Sequence, residues 1–143
     1  MREIRGRPGA KDSVPTRQEL RQSALPSAVP VVRGMVAGFL AGLDVPATRS
    51  GDIQLAVTEA CANVVRHAYP DGRGDVLCQC EATDEAIVIR VSDWGLGTEE
   101  PSAQPGLGLG IPLIERLSDR LTQRRTDGVT LVEMCFDRRN RRQ

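Results

Sequence analysis

The chain has 143 residues, enough for one domain that buries about 70% of the surface its unfolded form exposes. Hydrophobic residues make up 40% of it, which excludes a disordered chain, and no run of about eighteen apolar residues is present to form a transmembrane helix. With 19 basic and 19 acidic side chains the net charge is zero, so no general attraction to nucleic acid or to an anionic membrane is expected.

Residues 1–16 are rich in Arg, Gly and Pro and lack periodicity, which predicts a disordered leader. No apolar run follows the charged N-terminus, so a secretory signal is not expected and the cytoplasm is the default address. The folded domain is expected over 17–137, with the basic run Arg138-Arg139-Asn140-Arg141-Arg142 as a solvated tail within 138–143.

A short strand is expected over 19–25, ended by Pro26. Val32, Met35, Val36, Phe39, Leu40 and Leu43 then follow helical spacing. A second helix is predicted over 47–68, with Ile53, Val57, Ala60, Val64 and Ala68 as its apolar stripe. Tyr69-Pro70-Asp71-Gly72 breaks it.

Two strands follow over 75–82 and 86–93, the second alternating Ile87, Ile89 and Val91 with Val88, Arg90 and Ser92. A loop rich in Gly, Pro and Glu covers 94–107. A third helix is predicted over 109–117, and two closing strands over 120–125 and 129–137 are joined by the hairpin turn Thr126-Asp127-Gly128. Helices and strand pairs are segregated, so the expected fold is α+β: a two-layer α/β sandwich, mainly antiparallel, with helices on one face.

Four cysteines occur, at 61, 78, 80 and 135. Cys78-Gln79-Cys80 has no second pair at zinc-finger spacing, and buried reduced thiols are the expected state. Lys11 is the only lysine, so a mechanism needing a catalytic lysine has essentially no candidate.

Three motifs carry chemistry. Glu59 and Asn63 lie four apart and project from one face of the second helix, away from its apolar stripe. A carboxylate there can orient or deprotonate a hydroxyl, and an amide oxygen can ligate a hard cation; the bland alternative is a solvated pair. Asp93-Trp94-Gly95-Leu96-Gly97 follows a strand, where an Asp can accept from an exocyclic amine such as that of adenine and the glycines admit close backbone approach. An ordinary turn would look much the same. Gly106-Leu107-Gly108-Leu109-Gly110 leads into the third helix and exposes backbone N–H groups as an anion site. It is neither a Walker motif nor a Rossmann fingerprint, although Pro112 in the first helical turn fits the helix start.

In this order and on these elements, the three together resemble the histidine-kinase-like ATPase superfamily, over roughly residues 20–136. Glu59-x-x-x-Asn63 looks like its N-box, Asp93-x-Gly95-x-Gly97 like its adenine-binding box, and Gly106-x-Gly108-x-Gly110 like its second glycine box. Gly128-Val129-Thr130 looks like the late strand whose threonine helps hold adenine. The Asn-to-His-Ala-Tyr stretch, Asn63 through His67-Ala68-Tyr69, is similar to the stand-alone branch typified by anti-sigma-factor serine kinases.

That resemblance implies ATP and Mg²⁺ as cofactors, and as partners a sigma factor and an anti-anti-sigma-type protein phosphorylated on serine. The branch usually dimerises, so a homodimer is one expected state; direct nucleic-acid or membrane binding is not expected. Glu59 would be catalytic and Asn63 would hold Mg²⁺. Asp93, Gly95, Gly97 and Thr130 would hold the base, and Gly106, Gly108, Leu109 and Gly110 the phosphates. The stretch 98–105 contains no Lys or Arg to meet a γ-phosphate, leaving backbone N–H groups and Mg²⁺, with Arg66 or Arg73 as basic candidates. Two further readings stay open: a non-catalytic ATP-binding switch that sequesters its partner, and an interaction module that binds no nucleotide.

Overall fold

A computed structural model describes residues 16–96 and 110–138. The elements run β1 (Thr16–Ser23), α1 (Ala28–Ala41), α2 (Ala47–Asn63), a π-helical turn (Val64–Ala68), β2 (Asp75–Ala82), β3 (Ala86–Asp93), α3 (Gly110–Leu117), β4 (Arg120–Thr126) and β5 (Val129–Asp137). The strands form one sheet in the order β1-β2-β3-β5-β4, with every neighbouring pair antiparallel. This is the expected α+β sandwich.

The sheet has one apolar face because alternate residues point the same way. Val76, Cys78, Cys80 and Ala82 of β2, Ile87, Ile89 and Val91 of β3, and Met134 and Phe136 of β5 are buried. They share one core with Val32, Val36, Phe39 and Leu40 of α1, Ile53, Val57 and Cys61 of α2, and Ile114 of α3. The opposite face is more polar, though Leu77, Val88 and Leu131 also lie on it. There Arg90 donates to Glu133 at 2.7 Å and to Glu81 at 3.1 Å, and Arg17 lies 3.7 Å from Glu81. Such a face suits water, which accounts for two layers rather than three.

The closing hairpin turns at Asp127 and Gly128, both with positive φ (53° and 82°), the conformation that an Asp-Gly pair favours between two strands. At the other end of β5, Arg49 from the first turn of α2 donates to Asp119, and Asp119 Oδ2 accepts the Asp137 N–H at 2.7 Å. Arg49 also donates to the Asp137 carbonyl at 3.3 Å. This largely buried ion pair fastens the start of α2 to the end of β5.

Two expectations need correction, at β1 and at Cys135. The first strand is Thr16–Ser23 rather than 19–25, and Thr16 belongs to it rather than to the leader. Ala24 and Leu25 already turn toward α1, with the Ala24 N–H donating to the Gly74 carbonyl at 2.8 Å. The helix expected over 47–68 spans those residues, α-helical to Asn63 and closing as a π turn. Cys61, Cys78 and Cys80 are buried free thiols, but Cys135 is half-buried and stands opposite Val88 and Arg120, on the face away from Met134 and Phe136. Burial pushes the Cys61 thiol up to about 11, as befits an unreactive core cysteine.

Candidate nucleotide-binding site

The site forms where the end of α2 meets the end of β3. Asp93 closes β3, opposite Thr130 of β5 on one side and Val76 of β2 on the other. Among the described residues it is the one buried charged residue, at 5% exposure. Its Oδ1 accepts the Gly95 N–H at 2.9 Å, which leaves Oδ2 with no partner among the described residues. Burial pushes the Asp93 carboxyl above the usual aspartate range, opposed by the Gly95 N–H and by the positive charge of Arg125.

Gly95 is required by contact. A Cβ there would lie 2.0 Å from the Ala68 carbonyl oxygen and 2.9 Å from the Ala68 Cβ. The same carbonyl, at the end of the π turn, accepts the Leu96 N–H at 3.0 Å. A helix end leaves such carbonyls unpaired, and here the loop after β3 supplies the donor. The box at Asp93 and the helix carrying Glu59 and Asn63 are thereby joined directly.

Tyr69 makes the second join. Its hydroxyl donates to the Asp75 carbonyl at 2.6 Å and accepts the Trp94 N–H at 2.8 Å. Gly74 lies so close beneath its ring that a Cβ would stand 2.0 Å from a ring carbon. Trp94, two-fifths exposed, lies under the Arg21 guanidinium at 4.5 Å, and Arg21 pairs with Asp75 at 3.0 Å. The loop after β3 is thus held from β1, β2 and the helix end at once.

Glu59 and Asn63 are half-buried on the last turns of α2, and neither side chain has a partner among the described residues. Among the described residues nothing competes with a ligand for their oxygens. Among the described residues no group of three or more His, Cys, Asp or Glu could hold a metal. A magnesium ion here would therefore be carried by phosphates with Asn63 as a protein ligand, the habit of an ion that keeps few protein contacts. The donor set fits that role and does not fit a metal held by protein alone.

His67 lies in the π turn, half-buried; burial and the neighbouring Arg66 both push its pKa down, which favours the neutral ring. Gly110 opens α3, which packs on α2 through the buried Ile114. Gly97, Gly106, Gly108 and Leu109 lie outside the described residues, as does the stretch 98–105.

Arg66 and Arg73 are exposed, and no hydrogen bond joins either side chain to Asp93, Gly95 or Thr130 among the described residues. A basic residue that does reach the Asp93 end is Arg125 of β4: Nη1 donates to Thr130 Oγ1 at 2.6 Å and Nη2 to the Gly95 carbonyl at 2.9 Å. Sequence reasoning missed it because Arg125 stands 30 residues from Gly95 in an arginine-rich strand. The one available signal was its place in the closing hairpin, whose turn brings it opposite Thr130.

This fold, with an acceptor and a threonine paired across two central strands at the end of a helix, defines an ATPase-type α/β sandwich. The Histidine kinase-like ATPase domain family matches residues 22–136, and the chain belongs to that family. An anti-sigma F factor of Caldanaerobacter subterraneus is 34% identical over 114 residues, covering 71% of this chain and 80% of that protein. The serine-protein kinase RsbW of Bacillus licheniformis is 29% identical over 139 residues, covering 86% of this chain and 87% of that one. The crystal structure of the RsbU and RsbW domains of Rv1364c from Mycobacterium tuberculosis aligns with a TM-score of 0.64 at 22% identity, covering 83% of this chain and 32% of that chain. At that identity the likeness speaks for the fold alone. Among the described residues no helix is long and apolar enough to cross a membrane.

Proposed function

We propose that this chain binds ATP with Mg²⁺ and acts as an anti-sigma-factor serine/threonine kinase, holding a sigma factor and phosphorylating a serine of an antagonist protein. The observation that carries the nucleotide reading is the pairing of Asp93 with Thr130 across β3 and β5, beside a Gly95 that only the close approach of Ala68 explains. Names of the relatives, serine-protein kinase RsbW and anti-sigma F factor, support the partner classes. In this reading the domain is the folded span 16–137, and its address is the cytoplasm.

Asp93 would accept from the adenine amine, with Thr130 and Gly95 beside the base and Gly97 assigned to the same box. Gly106, Gly108, Leu109 and Gly110 are the residues whose backbone N–H groups would serve the phosphates. Asn63 would lend its amide oxygen to Mg²⁺, which would neutralise phosphate charge when bound. Glu59 orients the substrate serine and takes its proton as the new O–P bond forms and the bond to ADP breaks. The test is calorimetric titration with ATP, followed by transfer of labelled phosphate to a protein that co-purifies from the native cell. Failure to bind ATP would leave the nucleotide-free module; tight binding without transfer would leave the non-catalytic switch. The switch has one observation in its favour, the absence of Lys and Arg from 98–105.

A further inference from the structure

Arg125 is an exposed residue on a strand at the edge of the sheet, yet its guanidinium turns inward and bridges two parts of the site. One nitrogen donates to the Thr130 hydroxyl at 2.6 Å and the other to the Gly95 carbonyl at 2.9 Å. The planar fork of arginine suits such a double contact, since both donors are fixed by one orientation of the group. Gly95 in turn donates its N–H to Asp93 Oδ1. Arg125, Gly95, Asp93 and Thr130 therefore form one hydrogen-bonded unit drawn from β3, the loop after it, β4 and β5.

The unit has a defined polarity. A threonine hydroxyl can donate or accept, and its proton turns to suit its partner. At Thr130 the oxygen already accepts from a cation, which makes it a poor acceptor for a second donor. Its proton has no acceptor among the described residues and is what it offers outward. Asp93 Oδ2 offers only lone pairs while the carboxylate is ionised. A ligand edge that meets both must present a donor to Asp93 beside an acceptor for Thr130.

Resting on the ATP reading above, we propose that Arg125 is a positioning residue that fixes Thr130 as a hydrogen-bond donor and so selects a base carrying an amine next to a ring acceptor. The amine and N1 of adenine present that pattern. Hypoxanthine reverses it, with a carbonyl oxygen and an N1–H. Without Arg125 the Thr130 hydroxyl is free to accept as well as donate, and the site loses its preference at that position.

The experiment is calorimetry with ATP and with inosine triphosphate on the full chain and on Arg125→Ala, Arg125→Lys, Thr130→Val and the Arg125→Ala/Thr130→Val double variant. Arg125→Ala should lower ATP affinity by about tenfold, the size of one ordinary hydrogen bond, and narrow the ATP-over-inosine preference by a similar factor. Arg125→Lys, which keeps a cationic donor for Thr130, should restore much of the preference. In the Thr130→Val background, Arg125→Ala should leave the preference unchanged. Loss of folding alone would lower affinity for both nucleotides together and would not move their ratio. An Arg125→Ala protein with the parent's ratio would overturn the proposal, as would an effect that persists in the Thr130→Val background. If Asp93→Asn abolishes binding while Arg125→Ala does nothing, the ATP site stands and only the role of Arg125 falls. A parent chain that binds no ATP would overturn both.

Discussion

Gly95 and Ala68 are in backbone contact. The Ala68 carbonyl occupies the space where any side chain on Gly95 would have to begin, 2.0 Å from an ideal Cβ, and it accepts the next N–H, from Leu96, at 3.0 Å. The helix that carries Glu59 and Asn63 and the loop that follows Asp93 therefore cannot move independently of one another.

Gly95→Ala should accordingly unseat the loop rather than the core. The obstacle is backbone, not the flexible end of a side chain, so the loop must shift, at a cost of about 1–3 kcal/mol. ATP affinity should fall tenfold or more, because the Gly95 N–H that orients Asp93 and the carbonyl that receives Arg125 move with it. Thermal unfolding and calorimetry on one preparation check this. Parent-like ATP affinity in a well-folded Gly95→Ala protein would show that the Ala68 contact has no part in binding.

Asp93 should set stability and binding against each other as pH changes. Burial is the largest influence on its carboxyl and raises it above its unfolded value. A raised acid contributes stability that is fully present below the unfolded value and is lost as pH rises through the folded one. Without nucleotide, Asp93→Asn should therefore leave the melting temperature at pH 7 unchanged or higher, since the amide oxygen still accepts the Gly95 N–H and no buried charge remains. ATP binding runs the other way. It needs the ionised acceptor, so it should strengthen as pH rises through the folded value, and Asp93→Asn should weaken it by about 1.5–3 kcal/mol. Tyr69 and Arg125 are the titratable groups that interact with this carboxylate. Affinity measured from pH 5 to 8, taken as a ratio of parent to variant, cancels the titration of ATP itself.

How far the sequence discloses such features depends on their range. β2 and β3 were legible to the residue, because Val76, Cys78, Cys80, Ile87, Ile89 and Val91 alternate with half-buried neighbours along both strands. β1 was shifted because its segment contains one apolar residue, Leu20, and lies at the sheet edge with little burial to create a pattern. The π turn at Val64–Ala68 has no residue signature, since its apolar spacing continues that of α2. Glu59, Asn63, Asp93 and Gly95 stand in local motifs and were legible as candidates. Arg125 and Tyr69 act through partners 30 and 25 residues away, and nothing beside them in the chain announces those partners.

The Arg49–Asp119 pair is a longer-range case, joining residues 70 apart, and its side chains are 13% and 11% exposed. Asp119→Ala would leave the Arg49 charge and the Asp137 N–H without their acceptor in a largely buried place. Breaking a buried pair by removing one member typically costs about 3–5 kcal/mol. Denaturant unfolding should show a loss of that order. The site lies at the other end of α2, so ATP affinity of the still-folded fraction should stay within about threefold of the parent, less than one ordinary hydrogen bond. A loss under about 1 kcal/mol would show that water replaces the lost acceptor.

Glu59→Gln tests catalysis itself. Glutamine keeps the length of the side chain and much of its helix propensity, so α2 and its junction with the loop after β3 should be undisturbed. The exchange removes the charge that would take the serine proton. Glu59 has no protein partner among the described residues that the exchange would strand. A positioned base contributes a factor of about 10²–10⁴, so transfer of labelled phosphate should drop by that much while ATP and partner binding persist. Asn63→Ala is the companion: if its amide oxygen holds Mg²⁺, ATP affinity in that variant should no longer rise when Mg²⁺ is added. The two changes separate the roles, since the first should act on rate at constant affinity and the second on the metal dependence of affinity. An unchanged transfer rate in Glu59→Gln would assign proton removal to another group. A parent that binds ATP tightly but transfers nothing would instead make Glu59 a spectator and the chain a switch, consistent with a stretch 98–105 that brings no cation to the γ-phosphate.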